Sequence, residues 1–139
     1  MIKRPTTDAP RLARPLFSSR VPAGFPSPAE DYVEGALDLN EHLITHKEAT
    51  FFVRVRGDSM IGAGIRNGDL LVVDRAREAK DGDIVIAVVD GELTVKRLNQ
   101  RGAHLCLMPE NPCYSPIELK DGQELTVWGV VTSAIHRFA

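Results

Sequence analysis

A chain of 139 residues, 43% of them hydrophobic and 26% charged, has the composition of an ordinary soluble globular protein and enough length for one domain with its own core. No apolar run approaches the roughly 18 to 20 residues of a membrane helix, the first residues lack the apolar stretch of a secretory signal, and two cysteines make no disulfide framework. The expectation is a cytoplasmic protein without membrane contact.

The net charge of -2 is unevenly distributed. Residues 1–28 carry Lys3, Arg4, Arg11, Arg14 and Arg20 against Asp8, a net of +4, and hold six of the nine prolines. Proline fixes φ and donates no ladder hydrogen bond. Residues 1–28 therefore read as an extended basic arm before a domain of residues 29–139. Five charges without interleaved aromatics favour a flexible tail over a nucleic-acid contact.

Ser27-Pro28-Ala29-Glu30 combines a serine cap, a first-turn proline and a returning glutamate, which predicts a short helix. Its apolar stripe is Tyr32, Val33, Ala36 and Leu37, weakened by Gly35. Asp38-Leu39-Asn40-Glu41 repeats the capping pattern, with Leu39, Leu43 and Ile44 expected to face inward. His42 and His46 are one helical turn apart. No glutamate follows His42 and no third ligand is near, so they read as solvent-facing residues, not metal ligands.

From Thr50 the apolar period becomes that of strands, predicted at Phe51–Arg56, Leu70–Val73, Asp83–Val89, Glu92–Leu98, His104–Met108, Ile117–Leu119 and Leu125–Ser133. Asp90-Gly91 is a strong hairpin signal, and a two-residue loop there sets Val89 opposite Glu92 and Val85 opposite Lys96. The expected fold class is mostly β: a curled or partly open, barrel-like sheet with short N-terminal helices and an extended arm.

Arg56-Gly57-Asp58-Ser59-Met60 lies between a strand and the loop Ile61-Gly62-Ala63-Gly64-Ile65. A tight glycine turn can aim a serine hydroxyl and successive N–H groups at one point, the geometry of a nucleophile beside an oxyanion hole. Serine after Gly-Asp is also ordinary turn chemistry. A nucleophile needs a base, and no histidine has an evident aspartate partner in the sequence. A lysine can serve where burial disfavours its charged form. Lys96 faces Val85, Ala87 and Val89, but the other face of the hairpin (Ile84, Ile86, Val88, Leu93, Val95) is nearly as apolar. The pattern alone does not choose between Lys96 and Arg97. Chemistry does, because arginine keeps its proton. Cys106 and Cys113 read as plain thiols, Asp81, Asp83 and Asp90 as turn residues, and Trp128 as core, leaving no metal or cofactor site.

Gly57-Asp58-Ser59-Met60, followed by Gly64-Ile65, Gly68-Asp69, Gly82-Asp83-Ile84-Val85 and Thr94-Val95-Lys96, resembles the LexA/UmuD family of self-cleaving serine peptidases. Ala23-Gly24-Phe25-Pro26-Ser27-Pro28-Ala29 with Asp31-Tyr32-Val33 is similar to that family's cleavage region. The likeness runs from about residue 15 to the C-terminus, while the first 14 residues match nothing in it. LexA-type repressors carry an N-terminal DNA-reading domain that this chain is too short to hold, so the resemblance favours the UmuD branch, which serves SOS mutagenesis.

The resemblance implies Ser59 as nucleophile, Lys96 as general base, the backbone N–H groups of Asp58 and Ser59 as oxyanion hole, and Ala23–Gly24 as scissile bond. Ala-Gly is the repressor form of that bond, where UmuD proper has Cys-Gly. It further implies a homodimer whose cleavage is promoted by a RecA filament on single-stranded DNA. The shortened product then joins a UmuC-type Y-family polymerase subunit in translesion synthesis, without sequence-specific DNA binding of its own. The alternative is a non-catalytic interaction or dimerisation module related to repressor C-terminal domains. Retention of Ser59, Lys96 and the small residues at Ala23-Gly24 favours the peptidase.

Overall fold

The computed structural model describes residues 2–6, 8–17, 21, 23–24, 33–120 and 123–139. Its strands are β1 (Ile2–Lys3), β2 (Ala13–Phe17), β3 (Val33–Asp38), β4 (Thr50–Arg54), β5 (Leu70–Asp74), β6 (Ile84–Val89), β7 (Glu92–Arg101), β8 (His104–Met108), β9 (Ile117–Glu118) and β10 (Leu125–Ile135). One short helix, α1 (Leu39–Leu43), and two 3-10 turns, Lys47–Ala49 and Ile61–Ala63, complete the described elements. The chain divides into two compact units, Thr6–Thr45 and Met1–Pro5 with His46–Ala139.

In the smaller unit β2 and β3 pair antiparallel, with Ala13 opposite Asp38 and Leu16 opposite Gly35. This corrects the helix expected from Ser27. Its first residues, 27–32, lie outside the described residues, and Val33–Leu37 is strand. Val33 and Gly35 are poor helix formers, and Ala13–Phe17 of the basic segment supplies a ladder partner that a local helix pattern ignores. The second cap is where the sequence places it. Asp38 Oδ1 accepts from Asn40 N–H at 2.9 Å and Glu41 N–H at 3.4 Å, which starts α1. Its Oδ2 accepts from Leu12 N–H at 2.8 Å, and that bond foremost holds the carboxyl below its ordinary pKa. Glu41 pairs with Arg11. Leu39 is exposed, not turned inward, because a helix of five residues is too short to carry a buried stripe.

In the larger unit an eight-stranded antiparallel sheet has the order β1-β4-β5-β10-β6-β7-β8-β9. The strands read from alternation are present, displaced by a few residues at their ends. The fold is mostly β, and the sheet is open: it ends at β1 and β9 and does not close into a barrel. β10 lies between β5 and β6 and shifts register against each, between Val131 and Ser133 and between Val127 and Gly129. Such bulges bend and twist a strand, which curls the sheet. Two buried clusters form the core, one around Val55, Met60, Ile65, Leu71, Val73 and Ile86, the other around Val85, Ala87, Leu98, Leu107 and Val130. Alternate residues of β6 enter different clusters, which is why that strand is apolar throughout. Trp128 packs on the first cluster, edge-on to Phe51 with centroids 5.3 Å apart, under the Arg75 guanidinium.

Candidate active site

Past β4, Val55 N–H donates to the Asp69 carbonyl at 2.9 Å and the Val55 carbonyl accepts from Gly68 N–H at 2.9 Å. Gly57 then turns the chain at φ +94, a left-handed conformation that favours glycine, and its N–H donates to Asn67 Oδ1 at 2.8 Å. Val55 and Met60 are buried anchors on either side, and Ser59 is half-buried between them. The Asp58 carbonyl accepts from Ile61 N–H at 3.3 Å as the 3-10 turn begins. Among the described residues, the N–H groups of Asp58 and Ser59 have no acceptor.

The lysine arrives by the β6–β7 hairpin. Asp90 and Gly91 take φ values of 48 and 84, as a tight primed turn requires. The register is the expected one, Val89 opposite Glu92 and Val85 opposite Lys96. Lys96 is only 8% exposed. Its Nζ lies 3.0 Å from Ser59 Oγ, 2.8 Å from Thr94 Oγ1 and 3.1 Å from the Val95 carbonyl. Burial pushes its pKa below the ordinary lysine value. An ammonium can donate to all three oxygens. A neutral amine keeps two hydrogens for Thr94 and Val95 and turns its lone pair toward the serine hydroxyl, whose proton it can accept. Arg97 is held elsewhere, by Glu110 through Nε and by the Gly82 carbonyl through Nη1 at 2.6 Å. The structure thus brings Ser59 to Lys96 and not to its neighbour.

Both side chains open on a cleft of about 250 Å³, lined by Val53–Arg56, Leu93–Lys96, Leu71, Ile86 and Ile2. Among the described residues, ladder partners of β7 at Glu92–Lys96 come from β6 alone, because β8 pairs only from Arg97 onward. Those residues keep one backbone edge for an extended peptide. Ile2 lines the cleft because β1 adds to the edge of β4 with Ile2 opposite Val53, a contact that two residues of sequence do not announce. Ala23 and Gly24 belong to the smaller unit and are exposed.

Two histidines do have aspartate partners, contrary to the reading of the sequence. His46 Nδ1 lies 2.6 Å from Asp74 Oδ2, and His136 Nδ1 lies 2.6 Å from Asp69 Oδ1. Each partner is far away in the chain, and neither histidine lines the cleft. Cys106 is buried, which raises its thiol pKa, and Cys113 is exposed.

The segment Pro109–Pro116, in which the sequence singles out only Cys113, braces the serine turn. Glu110 N–H donates to the Ser59 carbonyl at 2.8 Å, and the Glu110 carbonyl accepts from Gly62 N–H at 2.7 Å. A Cβ on Gly62 would sit 2.6 Å from that carbonyl oxygen, too close for either backbone to keep its place. Gly62→Ala is therefore expected to lower unfolding stability by about 1–3 kcal/mol, the usual cost of overpacking, measured by urea denaturation.

A serine hydroxyl touching a buried lysine beside a peptide-sized cleft, on a mostly β frame, is equipped for acyl-transfer chemistry. The chain belongs to the peptidase S24-like family, whose sequence profile matches residues 15–132. Among its relatives, Protein SamA of Salmonella typhimurium is 49% identical over 137 residues, which are 99% of this chain and 95% of SamA. Protein ImpA of Escherichia coli is 50% identical over 132 residues, 89% of this chain and 84% of ImpA. The LexA repressor of Acidothermus cellulolyticus is 43% identical over 126 residues, 91% of this chain but 44% of the repressor.

Proposed function

We propose that this protein is a self-cleaving serine peptidase that cuts its own Ala23–Gly24 bond. The observation that carries the reading is the 3.0 Å contact between Lys96 Nζ and Ser59 Oγ at the floor of the cleft. Neutral Lys96 takes the hydroxyl proton as Ser59 Oγ attacks the Ala23 carbonyl carbon. The N–H groups of Asp58 and Ser59 bind the oxygen that becomes negative. The lysine then returns the proton to the leaving Gly24 nitrogen, and water releases the acyl group by the same route in reverse. Small residues flank the bond because the segment must lie extended with its backbone against the serine.

The family resemblance extends the proposal to the setting: a cytoplasmic homodimer of the SOS response, triggered by a RecA filament on single-stranded DNA. Its shortened product serves a UmuC-type polymerase subunit. Incubation with and without such filaments, followed by intact mass, tests it. The expected products are residues 1–23 and 24–139. The small fragment takes all five basic residues of the arm and Asp8, so the product moves from net -2 to -6 and focuses at lower pH. A different new N-terminus, or no cut with active filaments, would count against the reading.

A further inference from the structure

We propose that Asn111 is a positioning residue: it holds the Asp58–Ser59 peptide in the orientation its N–H needs to bind the oxyanion, with Tyr114 steadying the same turn. The proposal rests on the peptidase reading above and assigns a role to residues outside the Ser59–Lys96 pair.

In a planar trans peptide the carbonyl of one residue and the N–H of the next point in opposite directions. Fixing the Asp58 carbonyl therefore fixes the Ser59 N–H. Asn111 Nδ2 donates to that carbonyl at 2.9 Å. The carboxamide cannot be reversed without loss, because its Oδ1 accepts from Cys113 N–H at 2.9 Å and so leaves the NH2 end for Asp58. Glu110 N–H on the Ser59 carbonyl fixes the following peptide in the same way. Tyr114 O–H donates to Asp58 Oδ1 at 2.6 Å, anchoring the side chain of the residue that supplies the second proposed oxyanion donor. The bracing segment contains Pro109, Pro112 and Pro116, whose fixed φ angles restrict its drift. Among the described residues, Ile61 N–H, at 3.3 Å, is the other donor to the Asp58 carbonyl and lies on the same turn, so it cannot hold that turn against an outside reference.

Asn111→Asp separates positioning from architecture. The aspartate keeps the shape and the acceptor for Cys113 N–H, but sets an oxygen against the Asp58 carbonyl oxygen. Self-cleavage of the full chain should slow by about 10- to 100-fold, below the roughly 10²–10³ expected for outright loss of an oxyanion donor. Tyr114→Phe should slow it by about 3- to 10-fold, since one hydrogen bond to a side chain is lost. The urea midpoint of both variants should fall only slightly, by no more than the lost hydrogen bond and its new contact account for, with unfolding still cooperative.

The second readout is ligand binding. A peptide of residues 18–23 ending in a boronic acid forms a tetrahedral adduct on the serine, and its affinity for Asn111→Asp should fall by the same factor as the rate. The same peptide ending in a carboxamide should bind unchanged. Equal weakening of both ligands, or an unchanged cleavage rate, overturns the assignment. A wild-type protein that neither cuts nor takes the boronate overturns the peptidase reading itself. Failure confined to the variant therefore stays distinct from failure of the reaction.

Discussion

Ser59→Ala will leave the chain uncut at Ala23–Gly24 under conditions in which wild type is consumed, a loss of at least about a thousandfold in rate. The variant should fold. Ser59 is half-buried, and the change removes one hydroxyl from a turn fixed by Gly57, Glu110 and the buried Val55 and Met60. Lys96 loses one acceptor and keeps Thr94 Oγ1 and the Val95 carbonyl. One hydrogen bond is worth about 1 kcal/mol, small against the roughly 5–15 kcal/mol that holds a domain together. Intact mass over time measures the cut, and urea denaturation confirms the fold. Mixing the variant with wild type adds a further result, because cutting of the alanine chain would show that one subunit serves another. A non-catalytic module predicts no cut in either protein. Cleavage of Ser59→Ala at the wild-type rate would exclude the serine as nucleophile.

Most strands of the larger unit were legible because each is an alternating or continuously apolar run between turn residues, whereas the two residues of β1 were not. The hairpin was legible because Asp90-Gly91 leaves a two-residue loop little choice of register. That register put Lys96 opposite Val85 from sequence alone. The contact between Lys96 and Ser59 was not legible as geometry: it spans 37 residues, and both faces of the hairpin are apolar. Only the fold shows Arg97 turned to Glu110 and Lys96 to the serine. The smaller unit misled for a related reason. Ser27-Pro28-Ala29-Glu30 is a valid local helix signal, but β3 is decided by a partner strand some twenty residues earlier in the chain. Asn111 and Tyr114 reach Asp58 across 53 and 56 residues, and His136 reaches Asp69 across 67. Such contacts come from the way the sheet folds back on itself, which no local window records.

The rate of self-cleavage in wild type will rise with pH from neutrality and level off below the titration of an ordinary lysine, whereas Lys96→Arg will be inactive at every pH. A free lysine titrates near 10.4, so only about one molecule in 2,500 is neutral at pH 7. Burial lowers the pKa of Lys96 below that of a free lysine. The three oxygens around Nζ act in the opposite sense, since an ammonium can donate to all of them and is thereby favoured. In the proposed mechanism the neutral amine is the active form, so a lowered pKa moves the rise in rate to lower pH without removing it. On the proposed reading, an arm docked in the cleft would exclude more water and strengthen the effect of burial, so a filament would promote cleavage by favouring the docked arm, without lending a catalytic group. Arginine keeps the charge and nearly the length of lysine, but its guanidinium does not release a proton in this range. The loss should again be at least about a thousandfold. Rates measured by intact mass from pH 7 to about 10.5, for both proteins, separate the cases. A flat wild-type profile, or an arginine variant that cuts, would remove Lys96 from the role of base and leave its contact with Ser59 a structural hydrogen bond.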